Sequence, residues 1–205
     1  MRIAVINEVS ASHRNADIIA ALKGSGHTVY NVGMQNPEQK PELTYIHTGL
    51  MAAVLLNAKA VDLVVGGCGT GQGFLNSAMQ YPGVFCGLIV DSLDAWLFAQ
   101  INGGNCISLP LNKGYGWAGD VNLNFVFEKL FACRAGAGYP EHRKVSQKES
   151  RETLEKISVN AHKSMDEILR TMDESIMKPL SQWDAFCSLL EESGDQGINY
   201  SKYFK

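Results

Sequence analysis

Asp62-Leu-Val-Val-Gly-Gly-Cys-Gly-Thr-Gly-Gln-Gly-Phe74 is the stretch on which the fold turns. Its first five residues, 62–66, read as a short buried strand, and Phe74–Gln80 continues as a helix that stops before Pro82. Between them, Gly67, Gly69, Gly71 and Gly73 alternate with Cys68, Thr70 and Gln72. Glycine at every second position lets backbone N–H groups point inward past no side chain, which makes an anion-binding concavity. The start of the following helix adds its positive end. The loop lacks the Lys-Ser/Thr close and the spacing of a P-loop. It matches G-x-G-x-x-G in no register and follows the third strand, so it is not a dinucleotide fingerprint either. The same placement argues against a flavodoxin-like cofactor binder.

Outward from this loop, apolar runs alternate with helical spacing. Strands are expected at Ile3–Asn7, Thr28–Val32, Val84–Val90 and Asn105–Leu109, with helices over 16–22, 45–58, 92–101 and 119–132. Asp91 is expected to cap one of these helices and Asp120 another. This alternation implies βαβ units: a three-layer α/β sandwich around a five-stranded parallel, Rossmann-like sheet. In such sheets ligands bind beyond the carboxyl ends of the strands, which directs attention to Glu8, the 67–73 loop, Asp91 and 110–113.

The chain has 205 residues, enough for one domain with an appendage. Its composition shifts near residue 143. Residues 1–142 carry 18 of the 20 glycines, whereas 143–205 carry 21 charged residues and two glycines. We therefore divide the chain into an α/β domain, 1–145, and a helical extension, 146–205, expected to pack on the domain or on a partner subunit. One amphipathic helix is expected over 147–174, with Leu154, Ile157, Ala161, Met165, Ile168, Leu169 and Met172 on its apolar face. A second is expected over 179–191, burying Trp183, Phe186, Cys187 and Leu190.

Net charge is −3 without a basic block, which disfavours nucleic acid. There is no apolar run long enough for a membrane span. The N-terminus enters a strand directly and reads as no signal peptide, so the expected compartment is the cytoplasm. Five scattered cysteines without a C-x-x-C pair suit free thiols. Five isolated histidines offer no metal-ligand spacing, so no metal is expected. Cys68 differs from the other thiols. It stands where a strand edge meets a loop of amides and a helix start, the environment of a reactive cysteine. His47 is read as a capping or surface side chain, and Trp96 and Phe98 as packing residues.

The βα pattern, the Cys68-Gly-Thr-Gly-x-Gly73 loop and Asn102-x-x-Asn105 resemble the ribose-5-phosphate isomerase B family, which includes the galactose-6-phosphate isomerase subunits. The resemblance covers residues 1–145. It implies aldose–ketose isomerisation without metal or organic cofactor, in a homodimer or a tetramer with active sites shared between subunits. By the same resemblance Cys68 is the base that moves a proton between C1 and C2 through an enediolate. The amides of Gly69, Gly71 and Gly73 hold the oxyanion. Thr70 hydrogen-bonds the sugar, and Tyr45, Glu8 and Asn102 bind it.

This chain also departs from the family pattern. Val9 and Ile101 stand where the family carries histidines, and 110–113 (Pro-Leu-Asn-Lys) lacks its arginine. Lys113 and Arg143 are left as candidates for the substrate's anionic end. Losing guanidinium forks lowers the expected affinity for a phosphomonoester. The implied substrate is therefore a small sugar phosphate, or else a shorter or non-phosphorylated sugar. A non-catalytic sugar- or anion-binding module is the rival reading, and it gives Cys68 no purpose.

Overall fold

A computed structural model describes residues 1–193 and 199–205. Five parallel strands form one sheet: β1 (Arg2–Asn7), β2 (Thr28–Asn31), β3 (Leu63–Cys68), β4 (Cys86–Leu88) and β5 (Cys106–Pro110), in the order β2-β1-β3-β5-β4. The chain steps outward from β1 to β2, then crosses back to lay β3 on the other side of β1. The two flanking crossovers diverge above the β1–β3 junction, where such sheets hold their ligands.

Side chains alternate along each strand, and both faces are covered. Ile3, Val5, Val65, Ile107 and Leu109 pack under α1 (Asn15–Leu22) and α5 (Gly119–Leu130). Ala4, Ile6, Val64 and Cys106 pack under α2 (Tyr45–Asn57) and α3 (Gln72–Ala78). α2 buries Thr48 to Leu55 without interruption, as a helix does when neighbours cover it on nearly all sides. One of those neighbours is α3, whose Ser77 and Ala78 lie so close to Gly49 that a β-carbon there would collide with them.

β4 is shorter than its apolar run suggests. Asn105 accepts a hydrogen bond from Phe85 N (2.9 Å) and donates to Gly83 O (2.8 Å), so a side chain replaces the ladder at that end. α4 (Ser92–Leu97) begins at Asp91, which accepts from Leu93 N and Asp94 N, both at 2.9 Å, as expected of a cap. It then widens into a turn with π-type bonding, Phe98–Asn102, closed by Gly103 at φ 55°. Asp120 is not the cap of α5. Ala118 holds that position, and Asp120 lies in the first turn.

Among the described residues of the extension there are four α-helices where two helices were expected: α6 (Lys144–Ala161), α7 (Met165–Thr171), α8 (Glu174–Ser181) and α9 (Asp184–Ser193). The helix expected over 147–174 breaks because Ser164 and Glu167 form a reciprocal capping box that starts α7. Asp173 caps α8 through Ser175 N (2.8 Å), so Pro179 falls inside α8 and not at a helix start. Met165, Leu169, Leu180, Trp183, Phe186 and Leu190 enter the same apolar cluster as Val32, Met34 and α2. Leu154 and Ile157 do not enter it. They remain 49% and 53% exposed along α6.

Candidate functional site

The register of the sheet brings the carboxyl ends of three strands together: Asn7 pairs with Gly67, and Cys68 with Pro110. Glu8, the glycine loop and Lys113 therefore share one pole of the molecule. Cys68 is 5% exposed, and its Sγ lies 3.9 Å from Thr70 Oγ1. Thr70 is exposed, and its hydroxyl also accepts from Gln72 N (3.3 Å). Gly71, at φ 76°, makes the left-handed turn that starts α3. Its carbonyl accepts from buried Ser108 Oγ, which ties the loop to β5.

Tyr45 opens α2 and is 44% exposed. Its ring lies over Gly73, where a β-carbon would come within 3.0 Å of it. Absence of a side chain at Gly73 is thus what seats Tyr45 against the loop. His47 lies two residues further on in the same first turn and completes the cap, its Nδ1 accepting from Thr44 N at 3.0 Å. Burial holds its imidazole below the ordinary range, against a weaker opposing hydrogen bond that the ring donates to the Ser175 backbone of α8.

The amides of the loop are partly occupied. Gly71 N donates to Cys68 O (3.3 Å), and Gly69 N donates to Ser10 Oγ (3.3 Å). Gly69 O accepts from Asn112 N (3.0 Å) and Lys113 N (2.8 Å). Gly73 lies in the first turn of α3, where N–H groups have no acceptor within the helix. Ser10 is in turn held by Glu8, whose carboxylate accepts from Ser10 N (3.1 Å) and from Ser10 Oγ. Asn112 Nδ2 closes the frame on Ser10 O at 2.9 Å. Sequence reading singled out neither Ser10 nor Asn112. The legible signal for Ser10 is Glu8-x-Ser10, an acid two residues before a serine at a helical turn.

Asn102 and Arg143 lie elsewhere. Asn102 is exposed and precedes β5 by four residues, whereas Cys68 stands beside Pro110 at the far end of that strand. The length of β5 alone, five residues, separates the two poles by ~13 Å. Arg143 is exposed at the start of α6. That helix packs over the Phe98–Asn102 turn through Arg151, which donates to Ile101 O (2.8 Å) and Gly136 O (2.9 Å). Between α6 and the turn lies a cavity of about 440 Å³, lined among others by Phe98, Ile101, Asn102, Leu154 and Ile157. Within one chain, then, the ten residues expected at the site form two groups at opposite ends of the sheet.

Burial pushes the thiols of Cys106, Cys133 and Cys187 up. Trp96 packs edge-on against Tyr139 at 4.9 Å. Among the described residues, no three His, Cys, Asp or Glu side chains are grouped to hold a metal ion, and no helix is long and apolar enough to cross a membrane.

The family model of the ribose/galactose isomerases matches residues 3–126. A ribose-5-phosphate isomerase from Vibrio parahaemolyticus superposes with a TM-score of 0.92 at 40% identity, covering 100% of this chain and 99% of that one. A 4-deoxy-L-threo-5-hexosulose-uronate ketol-isomerase, solved with a tartrate, gives a TM-score of 0.84 at 36% identity, covering 99% of this chain and 91% of its own. Ribose-5-phosphate isomerase B from Clostridium thermocellum shares the fold, with a TM-score of 0.65 at 18% identity, over 79% of this chain and 100% of that one. No curated protein matches the chain.

Proposed function

The chain belongs to the ribose/galactose isomerase family and is a sugar isomerase, and on that premise we propose an aldose–ketose isomerase that uses Cys68 as its base. Cys68 takes the proton from C2 of the open-chain sugar, and the electron pair moves through C1=C2 onto O1. The same sulfur returns the proton to C1. The unoccupied amides of the first turn of α3 and the Thr70 hydroxyl stabilise the enediolate, an electrostatic role that is largest where water is excluded. Tyr45 borders the sugar, and Lys113 takes its anionic end. The observation carrying this reading is the near-buried Cys68 thiol beside Thr70 at the sheet's ligand-binding edge.

The site is completed across a dimer. Asn102 and Arg143 of one subunit are proposed to meet Cys68 of the other, because a single chain holds them at opposite poles. The half-exposed Leu154 and Ile157, beside Asn102, supply apolar surface for such an interface. We place the isomerase domain at 1–145 and treat 146–205 as an extension that supports α2, and through it Tyr45. The proposed compartment is the cytoplasm.

The substrate is a small sugar phosphate of the ribose 5-phosphate kind. A second reading is a sugar acid without phosphate. It is favoured by the hexosulose-uronate ketol-isomerase, which is similar along the extension as well as the domain, and by the absence of arginine from 110–113. Turnover of ribose 5-phosphate and of the hexosulose-uronate, by wild type and Cys68→Ala, tests both. Cysteine-dependent turnover of either selects the substrate class. Equal turnover by the two proteins refutes the role of Cys68.

A further inference from the structure

We infer that Ser10 is a catalytic residue: with Glu8 behind it, its hydroxyl moves the substrate's hydroxyl proton between O2 and O1. The inference rests on the isomerase reading above and supplies a step which that reading leaves without a residue.

Interconverting an aldose and a ketose moves two protons. One leaves C2 and arrives at C1, and Cys68 accounts for it. The other leaves the C2 hydroxyl and arrives at O1, and it needs a group that both accepts and donates. The residue after Glu8 is Val9, and His47 is engaged as a helix cap, its Nδ1 accepting from Thr44 N. The structure offers a carboxylate and a hydroxyl in direct contact instead. Glu8 is 3% exposed, and its carboxylate accepts from Ser10 N and from Ser10 Oγ. Ser10 is exposed, and it is the polar group through which Glu8 meets the surface. Its Oγ also lies 3.3 Å from Gly69 N, next to Cys68. The pair is fixed from below, where buried Asn7 Nδ2 donates to Ala11 O (3.2 Å) and holds the turn that Glu8 caps.

The step balances. As O2–H transfers its proton to Ser10 Oγ, the serine proton passes to Glu8. Glu8 then returns a proton to Ser10, which delivers one to O1, and the negative charge moves from O1 to O2. Collapse of that charge forms C2=O as Cys68 protonates C1. Ser10 and Glu8 end as they began.

The test measures two rates on one sample in D2O, with whichever of ribose 5-phosphate and the hexosulose-uronate wild type turns over faster. They are exchange of the C2 hydrogen into recovered substrate and net conversion to product. Without the relay the enediolate still forms on Cys68 but returns to substrate. Ser10→Ala and Glu8→Gln are therefore expected to lower conversion about a hundredfold while exchange persists, so that the exchange-to-conversion ratio rises. Ser10→Thr restores the ratio. Glu8→Gln retains an oxygen for the Ser10 N–H, so the local fold is kept. An unchanged conversion rate in Ser10→Ala, or equal loss of exchange and conversion in both variants, overturns the inference. Exchange undiminished by Cys68→Ala, or a wild type inert toward both sugars, overturns the reading beneath it.

Discussion

Trp183→Phe should destabilise the whole molecule, not the extension alone. Trp183 sits between α8 and α9, is 7% exposed, and donates its indole N–H to Val32 O at 2.6 Å. Val32 follows β2 and is 1% exposed, so water does not replace that donor. An orphaned buried carbonyl costs about 1–3 kcal/mol. The smaller ring leaves a gap in the apolar cluster that Trp183 helps to fill, for about 1 kcal/mol more. The sum, about 2–4 kcal/mol, is a large share of a typical domain's stability. Urea unfolding followed by far-UV circular dichroism and by fluorescence of Trp96 and Trp117 reads it directly. Both probes should shift together, because the extension and the sheet share one apolar cluster. A change below about 0.5 kcal/mol, or a wild type whose two probes unfold at separate midpoints, would refute the reasoning.

Other outcomes follow from particular contacts. Gly66→Ala places a methyl inside the space of the buried Phe74 ring, so a loss of at least about 1–3 kcal/mol and lower turnover are expected, measured by thermal melting and assay. His47 accepts the Thr44 N–H only when its Nδ1 is unprotonated, and burial lowers its pKa from the ordinary 6.5. Its contribution is therefore full above pH 6.5 and is lost as pH falls below that value toward the folded pKa. Melting at pH 7.5 and 5.5 should show a smaller difference in His47→Gln, which keeps an acceptor that does not titrate. Asp62, held low mainly by its hydrogen bond to Arg2, acts in the same sense at acid pH. Because that pair is substantially exposed, Asp62→Asn should cost only about 0.2–1 kcal/mol in chemical denaturation.

The strands were legible because a sheet buried on both faces needs continuous apolar runs, as in Ile3–Ile6 and Leu63–Val65. Gly67–Gly73 was legible because alternating glycine has few other uses. The helix break at 162–164 was also written in the sequence, as Ser164-x-x-Glu167, but the apolar spacing from Leu154 to Met172 runs across it. The length of β4 was not legible. It depends on Asn105 reaching Gly83 and Phe85, which only the folded chain brings near. Nor was the contact of Ser10 with the glycine loop legible, since its partner Gly69 lies 59 positions away, across the β1–β3 pairing. The separation of Asn102 from Cys68 is likewise a property of the sheet and not of residue spacing.

The most direct test mixes two inactive proteins. Cys68→Ala and Asn102→Ala are purified as homo-oligomers, assayed, unfolded together in equal amounts, refolded and assayed again. If the site joins the Cys68 pole of one subunit to the Asn102 pole of its partner, half of the refolded dimers are mixed. Each mixed dimer then carries one intact site of two, and about a quarter of wild-type turnover returns. A mixture that stays at the level of its components contradicts the shared site, as does either variant turning over like wild type.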